Sequence, residues 1–132
     1  MNHATQMPKG ELVLQTLAMP NAANVYGDIF GGWLVSQMDI GASFLAHKRA
    51  HNKVTTVAID KMIFLKPVKV GDCVACYASV LKTGRSSIAI QLEVWAISRE
   101  NGSRQQVTEG TFTFVAIDAK GQSKAIDWNA NI

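Results

Sequence analysis

Residues 27–45 read GDIFGGWLVSQMDIGASFL, and nearly every side chain from Ile29 to Leu45 is apolar or small. From Phe30 to about Ala50 the pattern is helical. It starts at a glycine pair, Gly31 and Gly32, and ends in AHKRAH at 46–51, where basic side chains suit the negative end of a helix. A helix apolar on nearly all sides has to be enclosed. Asp39 stands against that pattern, because it sets a carboxylate at the helix centre.

The flanking sequence changes register. ELVLQTLAM at 11–19 reads as a short strand ended by Pro20, and NAANVYGD at 21–28 as a loop. After the helix, 54–65, 73–81, 87–97 and 106–117 read as four strands, separated by KPVKVGD, KTGRSS and a turn around NGS. In the third of these, Ile88, Ile90, Leu92 and Val94 share one face, while Gln91, Glu93 and Trp95 take the other. Short connections favour antiparallel neighbours. The expected fold is therefore α+β, a curved antiparallel sheet wrapped around one long central helix. The 132 residues suit a single domain, with 1–9 and about 119–132 expected to be loosely ordered.

Composition narrows the partners. The net charge is +3, and the lysines and arginines are scattered without the stripe that nucleic acid demands. Charged residues are only 17% of the chain, which leans towards surface buried in an oligomer. MNHATQMPKG has no apolar core of a secretory signal, and the longest apolar stretch is too polar to span a bilayer. A cytoplasmic protein with no membrane partner is expected. Cys73 and Cys76 form CVAC, but residues three apart on a strand face opposite ways, so they read as reduced, structural thiols rather than a metal or redox pair. His47 and His51 stand four apart on a polar helix end with no third ligand, and His3 lies in the loose terminus, so no metal site is expected.

Two readings of Asp39 remain open. It can tie down a neighbouring loop by accepting backbone N–H bonds, or it can act as a general base or nucleophile at a wet cavity. Gly31 and Gly32 lie where backbone N–H groups lack intrahelical partners, and without Cβ atoms they let a ligand approach. Such donors can hold an oxyanion, although the same glycines also suit tight packing or a sharp entry turn. Gly32 and Asp39 share a helix face but are roughly 10 Å apart along the axis at 1.5 Å per residue. One carbonyl cannot reach both. If both act on one substrate, they come from two subunits whose helices run antiparallel across a two-fold axis.

LAMP, then N-x-x-G-x-x-F-G-G and the MD pair, followed by VTTVAIDKMIFLKPVKVGD, GRSS and EVW, resemble the YciA-type acyl-CoA thioesterases of the hotdog fold. The likeness runs from about Glu11 to Ile126. It implies dimers with a continuous sheet, a trimer of such dimers, and active sites shared between subunits. It also implies that Asp39 is the catalytic carboxylate and that Asn24 positions substrate or water. The amides of Gly31 and Gly32 would form the oxyanion-binding turn. Relatives commonly carry Asn directly before the GD pair, where this chain has Tyr26, which bears on acyl-chain preference.

The implied reaction is hydrolysis of an acyl-CoA to a free acid and CoA, with CoA as substrate and no separate cofactor. Asp39 activates water or attacks directly to form an anhydride, and no G-x-S-x-G elbow is present. CoA phosphates need cations: Arg85, following Gly84 and preceding Ser86 and Ser87, is the candidate, with Lys66 or Lys82 in support. A solvated hairpin tip is the other reading of that turn. A non-enzymatic acyl-CoA sensor is the rival function, and it would not need Asp39.

Overall fold

A computed structural model describes residues 7–129; His3 and the rest of 1–6, together with 130–132, lie outside the described residues. Five strands and one long helix follow one another: β1 (Glu11–Leu17), α1 (Gly31–Ala50), β2 (Val54–Phe64), β3 (Cys73–Thr83), β4 (Ser87–Ile97) and β5 (Arg104–Ala116). A single 3₁₀ turn, Pro20–Ala22, interrupts the loop before α1. These bounds fall close to those expected from periodicity.

The strands form one antiparallel sheet in the order β1-β3-β4-β5-β2. The β3–β4–β5 hairpins pair as short connections require. The connection from β2 to β3, eight residues against three and six in the hairpins, does not make neighbours. β2 goes to the far edge and pairs with β5, while β3 sits between β1 and β4. A local rule about turn length cannot anticipate this crossover, because the pairing of β2 with β5 joins segments far apart in the chain.

α1 lays Leu34, Met38, Ala42, Leu45 and Ala46 onto the sheet, where they meet Ile88, Ile90, Leu92, Phe112 and Phe114. Gly41 belongs to the same contact, since a Cβ there would lie 2.8 Å from Val13 Cγ2. The helix ends as its basic last turn suggests: His51 takes the left-handed conformation and donates its N–H to the His47 carbonyl at 2.8 Å. Enclosure is only half achieved within one chain. Ile40 is 54% exposed and Phe44 60%, on the side of α1 away from the core.

Cys73 and Cys76 are free thiols on opposite faces of β3, as alternation requires. Cys76 is buried, and the loss of water pushes its thiol up to about 12. Beyond β5 the chain makes defined contacts through Trp128. Ile117 bridges to Ser123, Lys124 donates to the Ala116 carbonyl, and Ile126 is buried against Ala50 and Ala116. Two apolar residues in a polar tail, Ile126 and Trp128, supply the burial that holds it down. Lys9 is likewise attached, its N–H donating to Glu93 Oε1 at 3.1 Å.

Candidate active site

Asp39 lies midway along α1, half-buried, and its Oδ1 accepts a 2.7 Å hydrogen bond from the hydroxyl of Thr56. Thr56 stands on β2, opposite Phe114 of β5. The carboxylate is thus held by a side chain on a rigid strand, and loop amides play no part in its hydrogen bonding among the described residues. A carboxylate oriented through one oxygen keeps lone pairs on the other for a proton or a carbon.

Thr56 was not anticipated from the sequence. VTTVA announces a strand, but nothing in the linear order ties Thr56 to an acid 17 positions earlier on another element. Only the docking of β2 beside α1 brings them together.

At the helix start, Trp33 and Leu34 both donate to the Phe30 carbonyl, which leaves the amides of Gly31 and Gly32 without an intrahelical acceptor. Their surroundings differ. A Cβ on Gly31 would sit 3.1 Å from the Phe64 ring, whereas nothing lies within 4 Å of one on Gly32. Gly32 therefore presents an open, side-chain-free approach to a bare helix end.

Asn24 organises the preceding loop. Its Oδ1 accepts the N–H of Tyr26 at 2.8 Å and of Asp28 at 3.1 Å, and its own N–H donates to the Asp28 carbonyl. Only the side-chain NH₂ remains for another partner. Asp28 in turn pairs with Lys69 and bridges to it through the backbone, so the loop is anchored to the segment before β3.

The remaining candidates divide between the two ends of α1. Arg85, Ser86 and Ser87 form the β3–β4 turn near the helix C-terminus, where Ile126 both donates to the Arg85 carbonyl and packs on Ala50. Gly84 leaves room there for the Ser87 hydroxyl, which would have to rotate away from an added Cβ 2.5 Å from its Oγ. Lys82 is the last residue but one of β3, beside this same turn. Lys66 follows β2 at the opposite end, just after the Phe64 ring that covers Gly31, and donates its N–H to the Val107 carbonyl. One chain therefore joins Asp39 to Thr56 and uses Asn24 to shape the loop that leads into the glycine tip, with no hydrogen bond among the described residues linking Asp39, the glycines and Arg85. Among the described residues no group of three or more His, Cys, Asp or Glu side chains could hold a metal ion. His47 Nδ1 lies 2.9 Å from the Asn52 carbonyl, a helix-end contact.

A sheet half-wrapped on one helix, an acid at mid-helix and bare amides at its tip define the class: a hotdog-fold thioesterase. The sequence profile of the thioesterase superfamily matches residues 26–103, more than half of the chain. The acyl-CoA thioester hydrolase YciA of Escherichia coli is 48% identical over 129 residues, covering 96% of this chain and 98% of that protein. A hexameric broad-specificity acyl-coenzyme A thioesterase superposes with a TM-score of 0.91 at 50% identity, covering 98% of this chain and 90% of that one. A hexameric hotdog-fold thioesterase of Campylobacter jejuni gives 0.84 at 35%, covering 91% and 92%. The chain belongs to the YciA group of acyl-CoA thioester hydrolases.

Proposed function

We propose that the protein hydrolyses acyl-CoA thioesters to the free carboxylic acid and CoA, at sites each built from two subunits. The observation that carries this reading is the Asp39 carboxylate, held by Thr56 and half-exposed in the largely apolar middle of the helix. The thioester oxygen accepts N–H bonds from Gly31 and Gly32 of one subunit. Asp39 of the other takes a proton from water as the water oxygen attacks the carbonyl carbon. The C–S bond then breaks, and the proton passes to the departing CoA sulfur. Attack by Asp39 itself, giving an anhydride that water opens, uses the same groups. The free NH₂ of Asn24 serves to orient substrate or water at the glycine tip.

The shared site follows from distance. Gly32 and Asp39 are roughly 10 Å apart in one chain, while antiparallel helices set each acid beside the partner's tip. The apolar side of α1, with Ile40 and Phe44, and the exposed Val57 and Ile59 of the edge strand β2 supply the surface for that pairing. Three such dimers make the hexamer proposed here, in keeping with the hexameric relatives. CoA leaves the site along the C-terminal half of α1. From Asp39 to Ala50 is about 16 Å at 1.5 Å per residue, a reach that suits the pantetheine arm and ends at Arg85. Arg85, with Gly84, Ser86, Ser87 and Lys82 around it, is assigned the phosphates. Lys66 of a neighbouring subunit is the supporting cation proposed for those phosphates.

No helix of the described residues is long and apolar enough to cross a membrane, and a cytoplasmic setting is proposed with that. The test is thiol release from acyl-CoAs of short, medium and long chain. The wild type should turn over several lengths and Asp39→Ala none. Equal ligand binding without thiol from either protein would make it a sensor instead.

A further inference from the structure

The β3–β4 turn is held from outside the hairpin to a degree its exposed position does not require. Three consecutive carbonyls are occupied: Gly84 accepts the Trp128 indole N–H at 3.0 Å, Arg85 accepts the Ile126 N–H at 2.8 Å, and Ser86 accepts the Ala116 N–H at 2.8 Å. Two of the three donors belong to the segment after β5. Hairpin tips ordinarily leave such groups to water and move accordingly.

That segment is itself built to be rigid. Asp118 accepts the N–H of Lys120 at 2.8 Å and of Gln122 at 3.0 Å, closing a turn that sends the chain back across the sheet end. The Ile117–Ser123 bridge and the Lys124 bond to Ala116 extend it. Ile126, only 8% exposed, then anchors it against Ala50 and Ala116. The Trp128 ring lines a cavity of about 220 Å³ with Arg49, Val80, Thr83 and Ile88, directly behind the turn. Arg85 itself stays exposed and makes no ion pair among the described residues.

We propose that residues 117–128 are a strap that positions the turn. Through Trp128 and Ile126 the strap fixes the Gly84–Arg85 backbone, and so aims the Arg85 guanidinium at the phosphates of the CoA thioester. This rests on the assignment of Arg85 made above and extends it to residues that never touch substrate. A loose turn still carries the charge, but bidentate pairing of the guanidinium fork with phosphate depends on geometry, which a held backbone favours. The strap therefore acts on capture of the nucleotide end and leaves the acyl chemistry alone.

The experiment compares hexanoyl-CoA with hexanoyl-pantetheine, which has the same thioester and arm but no nucleotide phosphates. The readout is the ratio of their KM values. In Trp128→Phe, which keeps a ring but removes the donor, the ratio rises roughly threefold or more, with kcat for hexanoyl-CoA within about twofold of the parent. Arg85→Ala, run alongside, raises the same ratio at least as far. If Arg85→Ala raises it and Trp128→Phe does not, the strap is wrong and the phosphate assignment stands. If Arg85→Ala leaves the ratio alone, that assignment falls and the strap with it. An equal rise in KM for both thioesters in Trp128→Phe would mean a general structural role and would overturn the proposal. Should Trp128→Phe not fold, Ile126→Ala loosens the same strap from its other anchor and must show the same rise in ratio.

Discussion

Asp39 and Thr56 form a pair whose parts have separable effects. Removing the carboxylate in Asp39→Ala takes away the group that accepts the proton, or attacks, in the proposed reaction. kcat/KM for thiol release should fall by roughly 10³-fold or more. Thr56→Val keeps the branched shape on β2 and removes only the donor to Oδ1, so the acid remains but is free to turn. The expected loss is roughly ten- to a hundredfold in kcat/KM, with folding stability changed by no more than about 1.5 kcal/mol. A Thr56→Val enzyme as active as the wild type would show that the bond orients nothing. Cys76 gives a prediction independent of function. Its thiol lies well above the ordinary 9.0, so the folded state keeps it neutral where the unfolded chain ionises. The unfolded state then binds fewer protons, and stability falls as pH rises from about 9 towards 12. A thiol reagent at pH 8 should find Cys76 only after denaturation, while half-buried Cys73 reacts first.

The two glycines at the start of α1 look alike in sequence and differ in place. An added methyl on Gly31 meets the Phe64 ring at 3.1 Å, and that exposed ring must give by a few tenths of an ångström. On Gly32 it meets nothing within 4 Å. Gly32→Ala should therefore keep or slightly raise the melting temperature, since alanine favours helix, while lowering kcat by about tenfold or more. Activity lost without stability lost is the mark of a ligand that approaches the amides. A fully active Gly32→Ala enzyme would remove them from the mechanism. The elements themselves were legible because each carries its own period: two in 87–97, where Ile88 to Val94 alternate, and a long apolar run with a basic end in α1. The neighbours of β2 were not legible, because an eight-residue link from Phe64 to Cys73 says nothing of which strand β2 will join.

Assembly makes the most demanding prediction. If each site takes Asp39 from one subunit and the glycine tip from the other, two dead variants complement each other. Asp39→Ala and Gly32→Val protomers, mixed after dissociation, form heterodimers in which one site carries both lesions and the other carries neither. Random exchange should restore about a quarter of wild-type turnover, and a site contained in one chain would restore none. Charge on the proposed shared face, as in Ile40→Glu, should yield monomers by sedimentation and remove turnover with them, because Ile40 stands 54% exposed on the apolar side of α1.

The order of amino acids by itself determined the elements, the single long helix, the acid at its centre and the glycines at its tip. All of these are local properties, written in periods of two and 3.6 and in residues that stand out against them. It also carried the resemblance that pointed to the family. Only the tertiary structure decided which groups meet: Thr56 on Asp39, Phe64 over Gly31, β2 at the sheet edge, and the tail on the β3–β4 turn. The physical reason is that such contacts join positions far apart in the chain. They are selected by burial of apolar surface and by completion of hydrogen bonds over the whole fold, which no window of neighbouring residues records.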